Sequence, residues 1–237
     1  MTPQLRAEIE AGAVDTATHI EQMAIRMSRL MATVEPELAL QAVQMDDLPF
    51  IARMRFGGAL LYSQYGAGAF VTGPRSNAPD LFRGWQAFAI ADAPFDVDAA
   101  FSFAIPFAID DHFAVREWAW LAVRPRVIAH PEAAMAAARR ITNPGGVDPR
   151  LVRFAVEVTR PRSVWGGHVE RFKSAPELGE EVLRCALNQT DRYPVRAALN
   201  WISDAARTRP AWSVKFAQVM AAEVTNGWTV NQLRNWV

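Results

Sequence analysis

The chain has 237 residues, with 25 Lys plus Arg against 25 Asp plus Glu, so its formal charge is zero; 51% of the residues are hydrophobic and 21% charged. That balance excludes a disordered chain, and the length suffices to bury one large core or two small ones. Cys185 is the single cysteine, which excludes an internal disulfide and a cysteine-based metal site. The opening Met1-Thr2-Pro3-Gln4 runs into a charged stretch around Arg6, Glu8 and Glu10, unlike a secretory leader. No run of about 18 uncharged apolar residues predicts a membrane span, and a cytoplasmic location is expected.

In chain order, helical periodicity dominates and alternating strand patterns are scarce. Residues 16–34 place Ile20, Met23, Ile25, Met27, Leu30 and Met31 at helical spacing, with Thr16 or Thr18 near the start. A second helix is predicted from Asp46 to Tyr62, carrying Leu48, Ile51, Met54 and Leu60. Gly57-Gly58, Gly66-Ala67-Gly68 and Gly73-Pro74-Arg75-Ser76-Asn77 follow, and the stretch near 64–77 reads as a long loop or hinge. A phosphate cradle is the sharper alternative, but no glycine–lysine or dinucleotide fingerprint closes on a strand–helix unit. Beyond residue 78 the chain alternates helices with short connectors. Pro79, Pro131, Pro149 and Pro176 are each predicted just inside a helix start, where a missing N–H costs nothing. Asp148 is a natural N-cap, and Ser174-Ala175-Pro176-Glu177 has capping-box form.

Three segments align: Asp111-His112-Phe113-Ala114-Val115-Arg116, Asp148-Pro149-Arg150-Leu151-Val152-Arg153 and Asp191-Arg192-Tyr193-Pro194-Val195-Arg196; Asn226-Gly227-Trp228-Thr229-Val230-Asn231 is a degenerate fourth. The aligned valines, 115, 152, 195 and 230, stand 37, 43 and 35 residues apart, a spacing suited to helix-pair repeats of the HEAT kind. In this motif the aspartate caps a helix, the valine enters the core and the arginine projects beside it. The intervening helices, Pro131–Thr142 and Pro176–Leu187, complete each pair, and neighbours stack because no pair can bury both apolar sides alone. The prediction is an all-α protein: an N-terminal helical region over 1–95, then a continuous HEAT-like solenoid (an α-α superhelix) over 96–237. An irregular helical bundle is the alternative. Arg116, Arg153 and Arg196 recur at equivalent positions and are expected in a row along the concave wall, or else paired with the aspartate of the neighbouring repeat. Trp118 and Trp120 share the first motif helix, one expected in the core and the other along the groove.

The segment Val152-Arg153-Phe154-Ala155-Val156-Glu157-Val158-Thr159-Arg160-Pro161-Arg162-Ser163-Val164-Trp165 resembles the signature of the AlkC branch of the AlkC/AlkD DNA alkylation repair glycosylases. Tyr193-Pro194-Val195-Arg196 with Asn200-Trp201-Ile202-Ser203-Asp204 and Arg209-Pro210, and earlier Phe113-Ala114-Val115-Arg116, extend the resemblance over roughly residues 96–225. It implies a HEAT-like protein that grips double-stranded DNA and excises cationic bases of the 3-methyladenine type without a metal or organic cofactor; a monomer is expected, associated with the nucleoid if it binds DNA. Such a base weakens its own glycosidic bond; a carboxylate stabilises the oxocarbenium-like sugar and orients water. An indole holds the cation by stacking, and arginines clamp phosphates. By this resemblance Glu157 and Asp204 match functional carboxylates and Trp165 the lesion-binding tryptophan. Arg160 and Arg162 match the flanking arginines of the signature and are expected to contact phosphates; Arg116, Arg153 and Arg196, from their place in the repeat, and Trp118, from its place on the first motif helix, are expected to line the same DNA-binding wall. One departure stands out: His112 occupies the place of a catalytic glutamate, and an imidazole cannot stabilise an oxocarbenium centre as a carboxylate does. Asp110, Asp111 and Glu117 stand nearby as substitutes. A non-catalytic binder of damaged or branched DNA, and a protein–protein scaffold, are the rival functions.

Overall fold

The computed structural model describes residues 1–143 and 146–236, and among the described residues it contains fifteen α-helices and no β-strand. The chain is all-α, as its periodicity predicts. It divides into two compact units: residues 1–95 with 102–123, and residues 96–101 with 124–237.

The first unit contains α1 (Pro3–Glu10), α2 (His19–Ala24), α3 (Met27–Val34), α4 (Ala39–Ala42), α5 (Phe50–Tyr65) and α6 (Asp80–Ala89). The helix expected over 16–34 is in fact two. Ile25 adopts an extended backbone and ends α2, leaving Ile20 71% exposed while Ile25, Met27, Leu30 and Met31 enter the core. Thr18 starts α2 with a complete capping box to Glu21. The second predicted helix also starts later, at Phe50, because Pro49 holds Leu48 extended. Pro79 lies outside α6 as its N-cap residue rather than inside the first turn.

Gly57-Gly58 belongs to the interior of α5, where it lets α6 approach closely. A Cβ on Gly58 would stand 2.6 Å from Phe88 Cβ and 2.8 Å from the backbone nitrogen of Ala89, and one on Gly57 2.5 Å from the Trp85 indole. The glycine-rich stretch that follows is a short 3-10 helix, Gly66–Ala69, and then turns. Gln86 pins it from both ends, accepting from the Arg75 backbone N–H and donating to the Ala69 carbonyl.

Helices α7 (Val97–Ala108) and α8 (Phe113–Ala129) contribute residues to both units. The second unit continues with α9 (Pro131–Thr142), α10 (Pro149–Val158), α11 (Glu170–Ser174), α12 (Glu180–Leu187), α13 (Arg192–Ala206), α14 (Pro210–Glu223) and α15 (Gly227–Arg234). Within this unit the motif helices pack side by side, α10 on α13 and α13 on α15, and the intervening α9 packs on α12. That is the two-layer stacking of HEAT-like pairs.

The motif chemistry is visible in the caps. Asp148 accepts from the Arg150 N–H, Asp191 from the Tyr193 N–H, and Asn226 from those of Trp228 and Thr229. Val115, Val152 and Val195 are fully buried, while Val230 is half-buried and Thr229 takes the core position. Ser174 forms no capping box; its hydroxyl donates to the Arg171 carbonyl, and Pro176 opens a 3-10 turn leading into α12.

Replacing Gly58 by alanine tests the α5–α6 contact. Alanine favours an isolated helix by about 1 kcal/mol, yet its Cβ meets backbone that cannot rotate away. We expect a net loss of about 1–3 kcal/mol, read as a lower midpoint in thermal or urea unfolding; an unchanged midpoint would contradict the close approach.

Candidate nucleic-acid interface

The second unit gathers most of the residues singled out by the sequence. Glu157 is buried on the last turn of α10, where an unpaired carboxylate would be costly. Two arginines compensate it: Arg153 Nη2 lies 3.4 Å from Oε1, and Arg160 Nη1 3.1 Å from Oε2. Arg160 turns its other edge to α13, placing both Nε and Nη2 2.9 Å from Asp204 Oδ2. Burial works against the charge on Arg160, but Glu157 and Asp204 outweigh it and push its pKa up. Asp204 Oδ1 receives no hydrogen bond from the described residues. Arg162 Nε reaches the Asp204 carbonyl at 3.3 Å.

The Thr-Arg-Pro-Arg segment is held by groups that its own sequence does not announce. Arg124, fully buried on α8, donates from Nη1 to the Val158 carbonyl at 2.8 Å and from Nη2 to the Arg160 carbonyl at 2.6 Å. Its Nε and Nη2 also donate to the Gly167 carbonyl at 3.1 and 2.9 Å. Burial, with the nearby charge of Arg160, pushes the Arg124 pKa down to about 10, so the guanidinium remains charged at neutral pH. Trp201 on α13 donates its indole N–H to the Thr159 carbonyl at 3.0 Å, and its ring covers Gly179, where a Cβ would stand 2.8 Å away. Between these anchors the chain loops outward, with Val164 92% and Trp165 48% exposed. The loop closes on itself through Val169 N–H to the Pro161 carbonyl and Gly166 N–H to Ser163 Oγ.

The three motif arginines do not repeat one contact. Arg116 donates to the carbonyls of Asp110 and Asp111 at the start of its own helix. Arg153 bridges to Glu157 and lies 4.3 Å from the Tyr193 ring centroid. Arg196, exposed, stands 6.0 Å from the Trp228 ring centroid, with Arg192 4.9 Å from the same ring. Their surroundings differ because only the Val-Arg pair recurs, while the residues facing it change from repeat to repeat.

In the first unit, His112 belongs to a buried polar cluster. Its Nε2 lies 2.6 Å from the Thr16 carbonyl, which makes Nε2 the protonated nitrogen, and Nδ1 lies 3.7 Å from Asp80 Oδ2. Asp80 is fully buried and accepts from both the backbone N–H and the hydroxyl of Thr16, at 3.2 and 2.5 Å, and from Gln22 at 3.4 Å. Burial pushes the Asp80 carboxyl above its ordinary value of 3.8, against the opposing pull of Thr16 and His112. Asp110 receives the His112 backbone N–H and an ion pair from Arg83. Trp118, expected as a DNA contact, is instead a core side chain, packed so closely on Gly84 that a Cβ there would stand 2.2 Å from its ring. Trp120 is buried as well, its N–H donated to Glu117; α8 is apolar on too many sides for either indole to stay at the surface.

Asp80 and Arg124 escape the sequence reading. The one weak signal for Arg124 is its place directly after the apolar run Leu121-Ala122-Val123. Asp80 after a proline reads as an ordinary helix-start acid.

Among the described residues no group of three His, Cys, Asp or Glu side chains is placed to hold a metal, and no helix is long and apolar enough to cross a membrane. No protein-family model matches the sequence, and no curated protein does. A solved structure does match: that of the Pseudomonas fluorescens alkylpurine DNA glycosylase AlkC bound to DNA containing an abasic site analog. The match has a TM-score of 0.54 and 14% identity, covering 98% of this chain and 60% of that one. The fold is AlkC-like. The AlkC-like fold therefore takes in nearly the whole described chain, N-terminal helices included, while the chain spans 60% of the length of the structure it matches.

The raised Asp80 pKa has a pH signature. A carboxyl that binds its proton more tightly when folded favours the folded state at acid pH, and that advantage is lost as pH rises from 3.8 through the folded value. The melting temperature of the wild type, relative to that of Asp80→Asn, should therefore fall as pH is raised from about 4. A gap that widens with pH over that range would reverse the assignment.

Proposed function

We propose that this chain binds duplex DNA through the second unit and hydrolyses the N-glycosidic bond of cationic N-alkylated purines, in the manner of the alkylpurine glycosylases whose fold it shares. The observation that carries this reading is Asp204: one carboxylate oxygen is fixed by Arg160 while the other takes no hydrogen bond from the described residues. A carboxylate oriented in this way can place water and offset positive charge growing on the sugar. A base that already bears a cation leaves without being protonated, so no general acid is required.

Glu157, engaged by Arg153 and Arg160, sets the orientation of Arg160 and through it that of Asp204. Trp165, half-exposed, supplies an indole for stacking and cation–π attraction, worth about 1–3 kcal/mol per stacked base. Arg162, Arg192 and Arg196 supply positive charge for phosphates, with no sequence preference.

A second reading, binding of alkylated DNA without excision, is favoured by His112. That residue holds the position of the family's glutamate, and its ring is engaged by Thr16 and faces Asp80. Restoring a glutamate there would set two carboxylates face to face. We expect His112→Glu to lose about 1–3 kcal/mol of stability in urea unfolding and to gain no excision activity.

The deciding experiment incubates the protein with duplex DNA containing 3-methyladenine and measures released base. Release well above the spontaneous rate is expected, as is its reduction by roughly 100-fold or more in Asp204→Asn with DNA affinity nearly unchanged. DNA binding that weakens steeply with salt, without base release, selects the second reading; no binding at low salt rules out both.

A further inference from the structure

The Arg124 guanidinium is buried and hydrogen-bonds no carboxylate among the described residues, with Asp204 and Glu157 offsetting its charge only from a distance, and desolvating such a charge is expensive. An apolar side chain of similar length would fill the same space without that cost. What the arginine adds is geometry. Its planar fork meets three carbonyls at once: Val158 at the end of α10, Arg160 just after it, and Gly167 on the far side of the exposed loop. Arg160 and Gly167 flank the residues that carry Arg162, Val164 and Trp165, so one rigid group fixes both ends of the loop. Arg160 is the residue whose side chain orients Asp204.

We infer that Arg124 is a positioning residue that presets the 160–167 loop, holding Trp165 outward and the Arg160 backbone in register with Asp204 before DNA arrives. The inference rests on the DNA-binding reading for its functional consequence, and on the three carbonyl contacts for its structural one. Lysine cannot substitute, because a single ammonium does not span carbonyls spread along a planar fork.

The test uses the full chain with Arg124→Lys, and Arg124→Met as a second variant that removes the buried charge together with its bonds. Met keeps the question answerable if Lys fails to fold. Amide hydrogen exchange is measured residue by residue. We expect exchange of the hydrogen-bonded loop amides Gly166 and Val169 to accelerate roughly tenfold or more, with α9 and α12 as protected as in the wild type. Duplex-DNA affinity should fall roughly tenfold, about as far as in Trp165→Ala, and the double variant should bind no more weakly than the worse single one. That non-additivity is what a merely structural arginine would not produce. Unchanged protection of the Gly166 and Val169 amides, or losses that multiply in the double variant, would overturn the inference. If the wild type itself does not bind DNA, the DNA reading fails, while the exchange measurement still decides whether Arg124 sets the loop.

Discussion

Arg160 satisfies two carboxylates from two helices, Glu157 on α10 and Asp204 on α13, and the second unit is organised around that shared cation. Neither acid could be buried alone, because desolvation would drive it to protonate or to move outward. Sharing the Arg160 guanidinium gives both carboxylates a cationic partner, ties neighbouring repeats together, and leaves one Asp204 oxygen uncommitted. Removing one partner of a buried pair of this type costs about 3–5 kcal/mol, so the site and the repeat interface stand or fall together. The candidate site and the packing share the same atoms.

Around that pair the irregular Thr-Arg-Pro-Arg segment needs its backbone groups satisfied, as any buried loop does. Trp201 and Arg124 do so from opposite flanks, one with an indole N–H and the other with a guanidinium fork. The first unit solves a similar problem differently: Asp80 sits among Thr16, Gln22 and His112, so its charge is balanced by neutral donors and an imidazole rather than by arginine. The contrast explains why the second unit carries the functional proposal. Its carboxylate is held with an oxygen to spare, whereas His112 spends its ring on Thr16 and Asp80.

What the sequence made legible was the chemistry that acts over a few residues. The caps at Asp148, Asp191 and Asn226 act two or three positions away, so the helix starts they mark could be read directly. The apolar spacing predicts one helix over 16–34 because it continues across Ile25, where the backbone itself turns extended. Glu157, Arg160, Asp204 and Trp165 stand out in the sequence only by resemblance to a signature, since no local rule says that a glutamate at 157 and an aspartate at 204 share one arginine. Arg124 and Asp80 were invisible for the same reason in stronger form. The first acts across 34 to 43 residues and the second across 58 and 64, where neither periodicity nor propensity carries information. Trp118 shows the converse: an aromatic on a motif helix is as good a core residue as a ligand contact, and only packing tells them apart.

The Trp201 indole caps Gly179 on one side and holds the Thr159 carbonyl on the other. A smaller ring at 201 would free the carbonyl, and a larger residue at 179 would expel the ring, so neither position can drift independently. In chains descended from a common ancestor, the two should therefore have an evolutionary history in common, changing together or not at all, with the Thr-Arg-Pro-Arg turn kept only where both are kept.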